Sequence, residues 1–204
     1  MLIKKSELNT ITKHYIHQIK KLYESSTFGK EELIISESCV CNKKIEICLL
    51  FYKDTKLNHA FSIGGFYFPV QNKKRKYKIL IDVSINNTFN KSYLEQVNLR
   101  IKANLVHEFE HHLQKCKVPF REKLKVVNYI TNPEDYINNP TELEALTKHI
   151  YFLHKQSKIP FLEMLHIESQ NVSTNCNIQK QYVKNIIGYL RKRKDLNLLT
   201  NIQL

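Results

Sequence analysis

Tryptophan is absent from this chain, and glycine occurs only four times in 204 residues. A collagen-like chain needs glycine at every third position, and a disordered chain is poor in apolar residues, so neither class fits. Apolar residues make up 42% of the chain, as in an ordinary globular protein. The chain is therefore expected to fold, and its length predicts a single domain with a sizeable core.

The cysteines include no CxxC pair, and their number is odd. The five are Cys39, Cys41, Cys48, Cys116 and Cys176. A disulfide framework or a cysteine zinc ribbon would need paired cysteines at short, regular spacing, so neither is indicated. The simplest inference is a reducing compartment, such as the cytoplasm.

Long apolar stretches are also lacking. The longest uninterrupted one, Ile47 to Tyr52, is far shorter than the roughly 20 residues that a membrane-spanning helix needs. The first residues, MLIKKSELNT, carry basic side chains without an apolar segment after them, so no secretory signal is expected. Neither a membrane partner nor a secreted location is predicted.

Acidic residues are few, with 19 Asp and Glu against 32 Lys and Arg, which gives a formal charge of +13. Such a charge fits a nucleic-acid partner, but Lys, Asn and Ile are all abundant, which an AT-rich coding sequence produces whatever the protein does. Two dense runs, Asn72 to Lys78 and Arg191 to Lys194, are interpreted as a loop between strands and the end of a terminal helix. No nucleic-acid motif supports that partner.

The order of predicted elements indicates an α+β fold. Apolar residues at helical spacing predict a first helix over Ser6 to Glu24. Short β-branched and aromatic runs between Glu32 and Ile85 predict three or four strands, and their short connections favour antiparallel pairing. Gly64 and Gly65 within one run indicate a bulge or a close approach of the backbone.

A long helix follows, for which Ser92 and Glu95 predict a capping box and an apolar stripe continues to Gln114. A short helical stretch over 121–130 and a loop over 131–140 are expected next, then a helix that opens at Asn139 to Thr141. Further helices are predicted over 161–170 and 178–194.

Two histidines near the end of the long helix carry the chemistry. His107 and His111 stand four residues apart, so both imidazoles project from one face, and neutral imidazole nitrogens are good Zn²⁺ ligands. Glu108 follows the first histidine, where its carboxylate can reach a water on the ion. This HExxH pattern has the mechanics of a zinc hydrolase, in which the ion lowers the pKa of water to about 7 and the carboxylate takes the proton. Glu110 and His112 are expected at the surface.

The third protein ligand is expected on the later helix, where Glu142 and Glu144 are candidates. If Thr141 is the N-cap, Glu144 has a capping role, and if Asn139 is the N-cap, that role falls to Glu142, so capping does not choose between them. The helix faces favour Glu142, since it shares a side with apolar residues while Glu144 lines up with Lys148 and points toward water.

The sequence HEFEHH, followed about thirty residues later by Tyr136, Pro140 and ELEA, resembles the gluzincin branch of the zincin metallopeptidases. In that branch the third ligand is a glutamate on a second helix, often in a Glu-x-x-Ala setting, which by position implies Glu142 with Ala145. Leu146 stands where the branch has an acidic or Asn residue, so a ligand histidine must be oriented by something else. The layout of residues 77–155 also resembles small metallopeptidases predicted from phages and mobile elements.

The resemblance implies one zincin-like domain over 1–204, with a small, mostly antiparallel sheet packed on the HExxH helix and a helical C-terminal half. Its parts are an N-terminal helix at 1–30, the sheet at 31–90, the active-site helix at 91–116, and helices at 139–204 that supply the third ligand. It further implies one Zn²⁺ ion and a protein or peptide substrate that adds as a strand to Tyr77–Ile85 or to its neighbour FSIGGFYF, and it adds a virion to the reducing compartment as an expected location. Tyr136 and His149 are candidates for steadying the oxyanion.

Two alternatives belong to other classes. One is a zincin scaffold without catalysis that serves a larger assembly, and a phage assembly fits the resemblance. The other is a di-iron carboxylate protein, because Glu108-x-x-His111 is matched by a second ExxH at Glu163 and His166. The strands before residue 90 disagree with the four long helices that such a site needs.

Overall fold

The chain divides into two compact units, residues 1–117 and 118–204. A computed structural model describes residues 5–24, 32–40, 43–68, 77–117 and 132–193. Within these residues, the first unit combines a sheet with two helices, and the second consists of helices. The α+β class predicted from the sequence is confirmed, whereas the expectation of one domain stays a prediction.

The first unit begins with a helix and ends with the HExxH helix. In chain order its elements are α1 Lys5–Glu24, β1 Glu32–Val40, β2 Lys43–Lys53, β3 Phe61–Phe68, β4 Tyr77–Ile85, a 3₁₀ turn at Lys91–Tyr93, and α2 Leu94–Lys117. The predicted first helix and the upper number of predicted strands are both confirmed.

The four strands form one mixed sheet in the order β1-β2-β4-β3. The pairs β1/β2 and β3/β4 are antiparallel, but β2 and β4 run parallel, with Leu49 opposite Ile81. The expectation of antiparallel pairing was therefore wrong for one pair of strands. The reason is that β3 lies between β2 and β4 in the chain, so it provides the crossover that a parallel pair requires.

One face of the sheet carries the core of the first unit. Alternate residues of the two central strands are fully buried, namely Ile45, Ile47, Leu49 and Phe51 of β2 and Ile79, Ile81 and Val83 of β4. Tyr15 of α1 is also buried, and its hydroxyl donates a hydrogen bond of 2.8 Å to the carbonyl oxygen of Ile47. This bond satisfies the one polar atom of a ring that otherwise contributes apolar area.

The entry to α2 differs from the predicted capping box. Asn90, rather than Ser92, supplies the cap, because its side-chain oxygen accepts a hydrogen bond of 2.9 Å from the backbone N–H of Ser92. The 3₁₀ turn separates that cap from α2, so Glu95 lies in the first turn of α2 instead of at the third position after the cap.

The second unit contains α3 Pro133–Asn138, α4 Pro140–Ser157, α5 Phe161–Val172 and α6 Cys176–Lys192. The three longer helices were predicted, but α3 was expected to be loop, and Asn132 with Pro133 starts it by capping and by a fixed φ. Asn185 of α6 donates a hydrogen bond of 2.8 Å to the carbonyl oxygen of Ile137 in α3. Two predicted segments lie outside the described residues. They are the helix expected over 121–130 and most of the basic loop expected over 72–78.

Of the helices in the described ranges, none combines the length and the apolar character that crossing a membrane requires.

Candidate functional site

Helix α2 brings the two HExxH histidines together. Both rings are buried, and their Nε2 atoms lie 3.0 Å apart. Two nitrogens bound to one tetrahedral zinc ion lie about 3.3 Å apart, given Zn–N distances of about 2.0–2.1 Å. The pair is therefore arranged as two neighbouring ligands would be, and its donor chemistry fits a zinc ion.

Glu108 is buried against strand β3, beside Gly65. A Cβ atom built on Gly65 would lie 2.6 Å from Oε1 of Glu108 and 3.1 Å from its Cγ. The same atom built on Gly64 would meet only the ring of Phe66, at 3.7 Å, which is an ordinary contact. The predicted close approach of the backbone is thus found at Gly65, where the missing side chain makes room for the carboxylate.

Strand β3 is at an edge of the four-stranded sheet, while β4 pairs on both sides. Ala60 and Asn86 lie opposite each other just beyond the β3/β4 pair Phe61 and Ile85. The backbone N–H of Asn86 donates a hydrogen bond of 3.0 Å to the carbonyl oxygen of Ala60, so these two residues form a hydrogen-bonded pair. Bonded and non-bonded pairs alternate in an antiparallel ladder, so the main-chain groups of Ile63, Gly65 and Tyr67 point away from β4. Of the two strands considered for binding an extended peptide, β3 has the free edge among the described strands, and β4 does not.

His112 was expected at the surface, and that was wrong, because its side chain is 0% exposed. Its Nδ1 lies 3.1 Å from the hydroxyl of Tyr67, its Nε2 lies 3.4 Å from Sγ of Cys116, and Tyr77 packs edge-on against its ring. Burial raises the pKa of Tyr67. This cluster attaches α2 to β3 and β4, which is a structural role for His112. Glu110 is also buried, against expectation.

The second unit places Glu142 and Glu144 differently on α4. Asn139 is the N-cap and Pro140 follows it, which selects the second of the two capping arrangements considered. Glu142 is buried, whereas the Glu144 carboxylate forms an ion pair of 2.9 Å with Arg193 after α6. Glu144 therefore does not simply point toward water, because its charge is engaged within the helical unit.

His149 and Tyr136 also belong to the second unit. His149 is buried, and its Nε2 lies 3.4 Å from Oε2 of Glu168 on α5, a distance typical of an electrostatic contact rather than of a short hydrogen bond. Tyr136 is half-buried on α3.

Glu163 and His166, which would be ligands in the di-iron alternative, are both exposed on α5. Ligands of a di-iron bundle must project inward, so these positions disagree with that alternative.

Comparisons of the chain with protein-family models, with curated proteins and with solved structures find no match.

The sequence did not indicate the contributions of three residues at or near the site. Gly65 leaves room for the Glu108 carboxylate, the ring of His112 is buried, and the side-chain oxygen of Gln114 lies near Nδ1 of His111. The first had a signal in the Gly64-Gly65 pair. Gln114 had one in its spacing, three residues after His111 in a predicted helix, whereas His112 had none, because helical spacing does not tell which distant residues cover a helix face.

Proposed function

We propose that this protein is a zinc-dependent metallopeptidase of the zincin type. The observation that carries the proposal is the pair of Nε2 atoms of His107 and His111, which face each other at 3.0 Å, with the buried Glu108 directly after His107 in the chain. Two imidazoles with the geometry of neighbouring ligands and an adjacent carboxylate are the protein parts that a zinc hydrolase needs.

Glu142 is proposed as the third ligand. His107, His111 and Glu142 are all buried, and each offers one atom of a type that binds zinc. Glu144 is the weaker candidate, because its carboxylate is paired with Arg193 at 2.9 Å. Glu142 is buried, so a positive ion beside it would stabilise its charge.

A bound zinc ion would polarise a peptide carbonyl and lower the pKa of a water molecule to about 7. Glu108 accepts the proton of the attacking water on its carboxylate and then donates it to the amine nitrogen that leaves. The position of Glu108 against Gly65 limits where the carboxylate can lie, because β3 supports it from one side. Such support favours a proton transfer that needs a fixed geometry.

The free edge of β3 is the proposed binding place for the peptide. An extended chain that pairs with this edge forms main-chain hydrogen bonds with Ile63, Gly65 and Tyr67. Since Gly65 is in contact with Glu108, such a chain would pass beside the general base. Tyr136 and His149 remain candidates for steadying the oxyanion, and the contact of His149 with Glu168 favours a packing role for that histidine.

The experiment that tests this function compares Glu108→Gln with Glu95→Gln, an exposed glutamate in the first turn of the same helix. Both variants and the parent protein are loaded with zinc, their metal content is measured, and each is incubated with a mixture of unstructured peptides that is then searched for new termini by mass spectrometry. We expect all three to retain one zinc ion, and Glu108→Gln to cleave about 10²–10⁴-fold more slowly than the other two.

Cleavage at the parent rate by Glu108→Gln would contradict the mechanism. A parent protein that binds zinc but produces no new termini would instead support the non-catalytic scaffold. Two iron ions per chain in the protein as purified, before zinc is added, would support the di-iron alternative.

A further inference from the structure

Gln114 lies three residues after His111 on α2 and is half-buried. Its side-chain oxygen, Oε1, is 3.1 Å from Nδ1 of His111. The other ring nitrogen of His111, Nε2, is the atom that faces His107 at 3.0 Å. Both nitrogens of this histidine are thus engaged along a single helix face, because residues three and four apart on a helix are neighbours.

The chemistry of the amide determines which nitrogen of His111 carries hydrogen. An amide oxygen only accepts hydrogen bonds, so Nδ1 of His111 must donate, and it therefore carries the N–H. A neutral imidazole has a single N–H, which leaves the lone pair on Nε2. Nε2 is the nitrogen that a metal ion beside His107 would need.

We propose that Gln114 is a positioning residue that holds His111 in its Nδ1-protonated form and directs the Nε2 lone pair toward the metal position. The metal part of this inference rests on the proposed function. Ligand histidines are generally oriented by a hydrogen bond from their second nitrogen. In this chain Leu146 occupies the position where the resembling branch has an acidic residue or Asn, and Gln114 supplies such a bond from within the HExxH helix itself.

The first test needs no metal. Ring nitrogen chemical shifts of His111 are measured by NMR in the metal-free protein, in Gln114→Leu, in Gln114→Glu and in Gln96→Leu, whose side chain is exposed on the same helix. We expect the Nδ1-protonated form in the parent, in Gln114→Glu, which keeps an acceptor, and in Gln96→Leu. Gln114→Leu should show a mixture of the two neutral forms. The same single form in Gln114→Leu as in the parent would overturn the proposal.

The second test measures zinc affinity by competition with a chelator in the same four proteins. Loss of a partner that orients a ligand histidine typically weakens metal binding by about 10–100-fold, and we expect this loss in Gln114→Leu alone. If Gln114→Leu binds zinc as the parent does, while Glu108→Gln still abolishes cleavage, the role of Gln114 is refuted and the proposed function stands. If the affinity ranking holds and no protein cleaves peptides, the positioning role stands and the peptidase function is refuted.

Discussion

The two units each bury a histidine beside another titratable side chain, but the partners differ. In the first unit, Nε2 of His107 faces Nε2 of His111 at 3.0 Å. In the second, Nε2 of His149 faces a carboxylate oxygen of Glu168 at 3.4 Å. All four side chains are buried, so the surroundings are similar and the chemistry of the partner is what distinguishes the pairs.

The difference bears on what each pair can bind. A histidine and a carboxylate attract each other electrostatically without an added ion. The two imidazoles of His107 and His111 bring no negative charge, and the lone pair of one is directed at the other ring. Such a pair is stabilised by a proton or a cation between its nitrogens. The first pair is therefore suited to a metal ion, whereas the second is suited to holding α4 and α5 together.

The largest expected effect separates the two pairs by their metal binding. His111→Ala should weaken zinc binding by more than the roughly 100-fold that loss of an orienting partner gives, because it removes a ligand. His149→Ala should leave zinc affinity unchanged. Chelator competition measures both. Equal weakening in the two variants would show that the histidines do not differ as the comparison requires.

The next effect concerns the two neighbouring glycines of β3. Gly65→Ala should displace the Glu108 carboxylate, since a Cβ there would lie 2.6 Å from Oε1, and a shift of about 1 Å can lower a rate by about 10²-fold. Gly64→Ala, whose Cβ meets only Phe66 at 3.7 Å, is the matched control. Zinc content should stay the same in both variants. If Gly65→Ala cleaves peptides as fast as Gly64→Ala does, the support of Glu108 by β3 is unimportant.

A smaller effect tests the structural role of the second pair. Glu168→Gln removes the charge near His149 and should lower the free energy of unfolding by about 1–3 kcal/mol, as a buried polar group loses a charged partner. Glu163→Gln, on the exposed side of the same helix, should change it little. Urea unfolding measures both, and zinc affinity should be unaffected. An unchanged stability for Glu168→Gln would remove the proposed contrast between the two pairs.

The smallest effect compares two buried tyrosines. Burial raises the pKa of Tyr182, next to Glu168, and within the described residues its hydroxyl has no hydrogen-bond partner. Tyr182→Phe should therefore be neutral or slightly stabilising. Tyr15→Phe loses a bond of 2.8 Å to Ile47 and should cost about 0.5–1.5 kcal/mol. A loss of stability in Tyr182→Phe as large as in Tyr15→Phe would show that the Tyr182 hydroxyl is satisfied.

Local regularity explains how much of the fold could be predicted. The helical spacing before residue 25 and after residue 90 predicted α1, α2 and the three longer helices of the second unit, because an amphipathic helix records its buried face in the sequence. Strand positions followed from β-branched and aromatic runs. The parallel pairing of β2 with β4 could not be predicted, since strand order depends on contacts between segments far apart in the chain.

The candidate site shows the same division. His107, Glu108 and His111 were proposed as site residues from the HExxH spacing, and the two histidines do lie together, because four residues on a helix bring two side chains onto one face. The surface positions assigned to Glu110 and His112 were wrong, because both side chains are buried, and Tyr67 and Tyr77 of the sheet pack against the ring of His112.

The sequence by itself determined the HExxH helix and the chemical types of its side chains, since both follow from residues within a few turns of one another. The tertiary structure alone decided that Gly65 receives the Glu108 carboxylate, that β3 rather than β4 is an edge strand of the described sheet, and that His149 faces Glu168. Each of these depends on segments that are distant in sequence and meet only when the apolar faces of each unit are buried together.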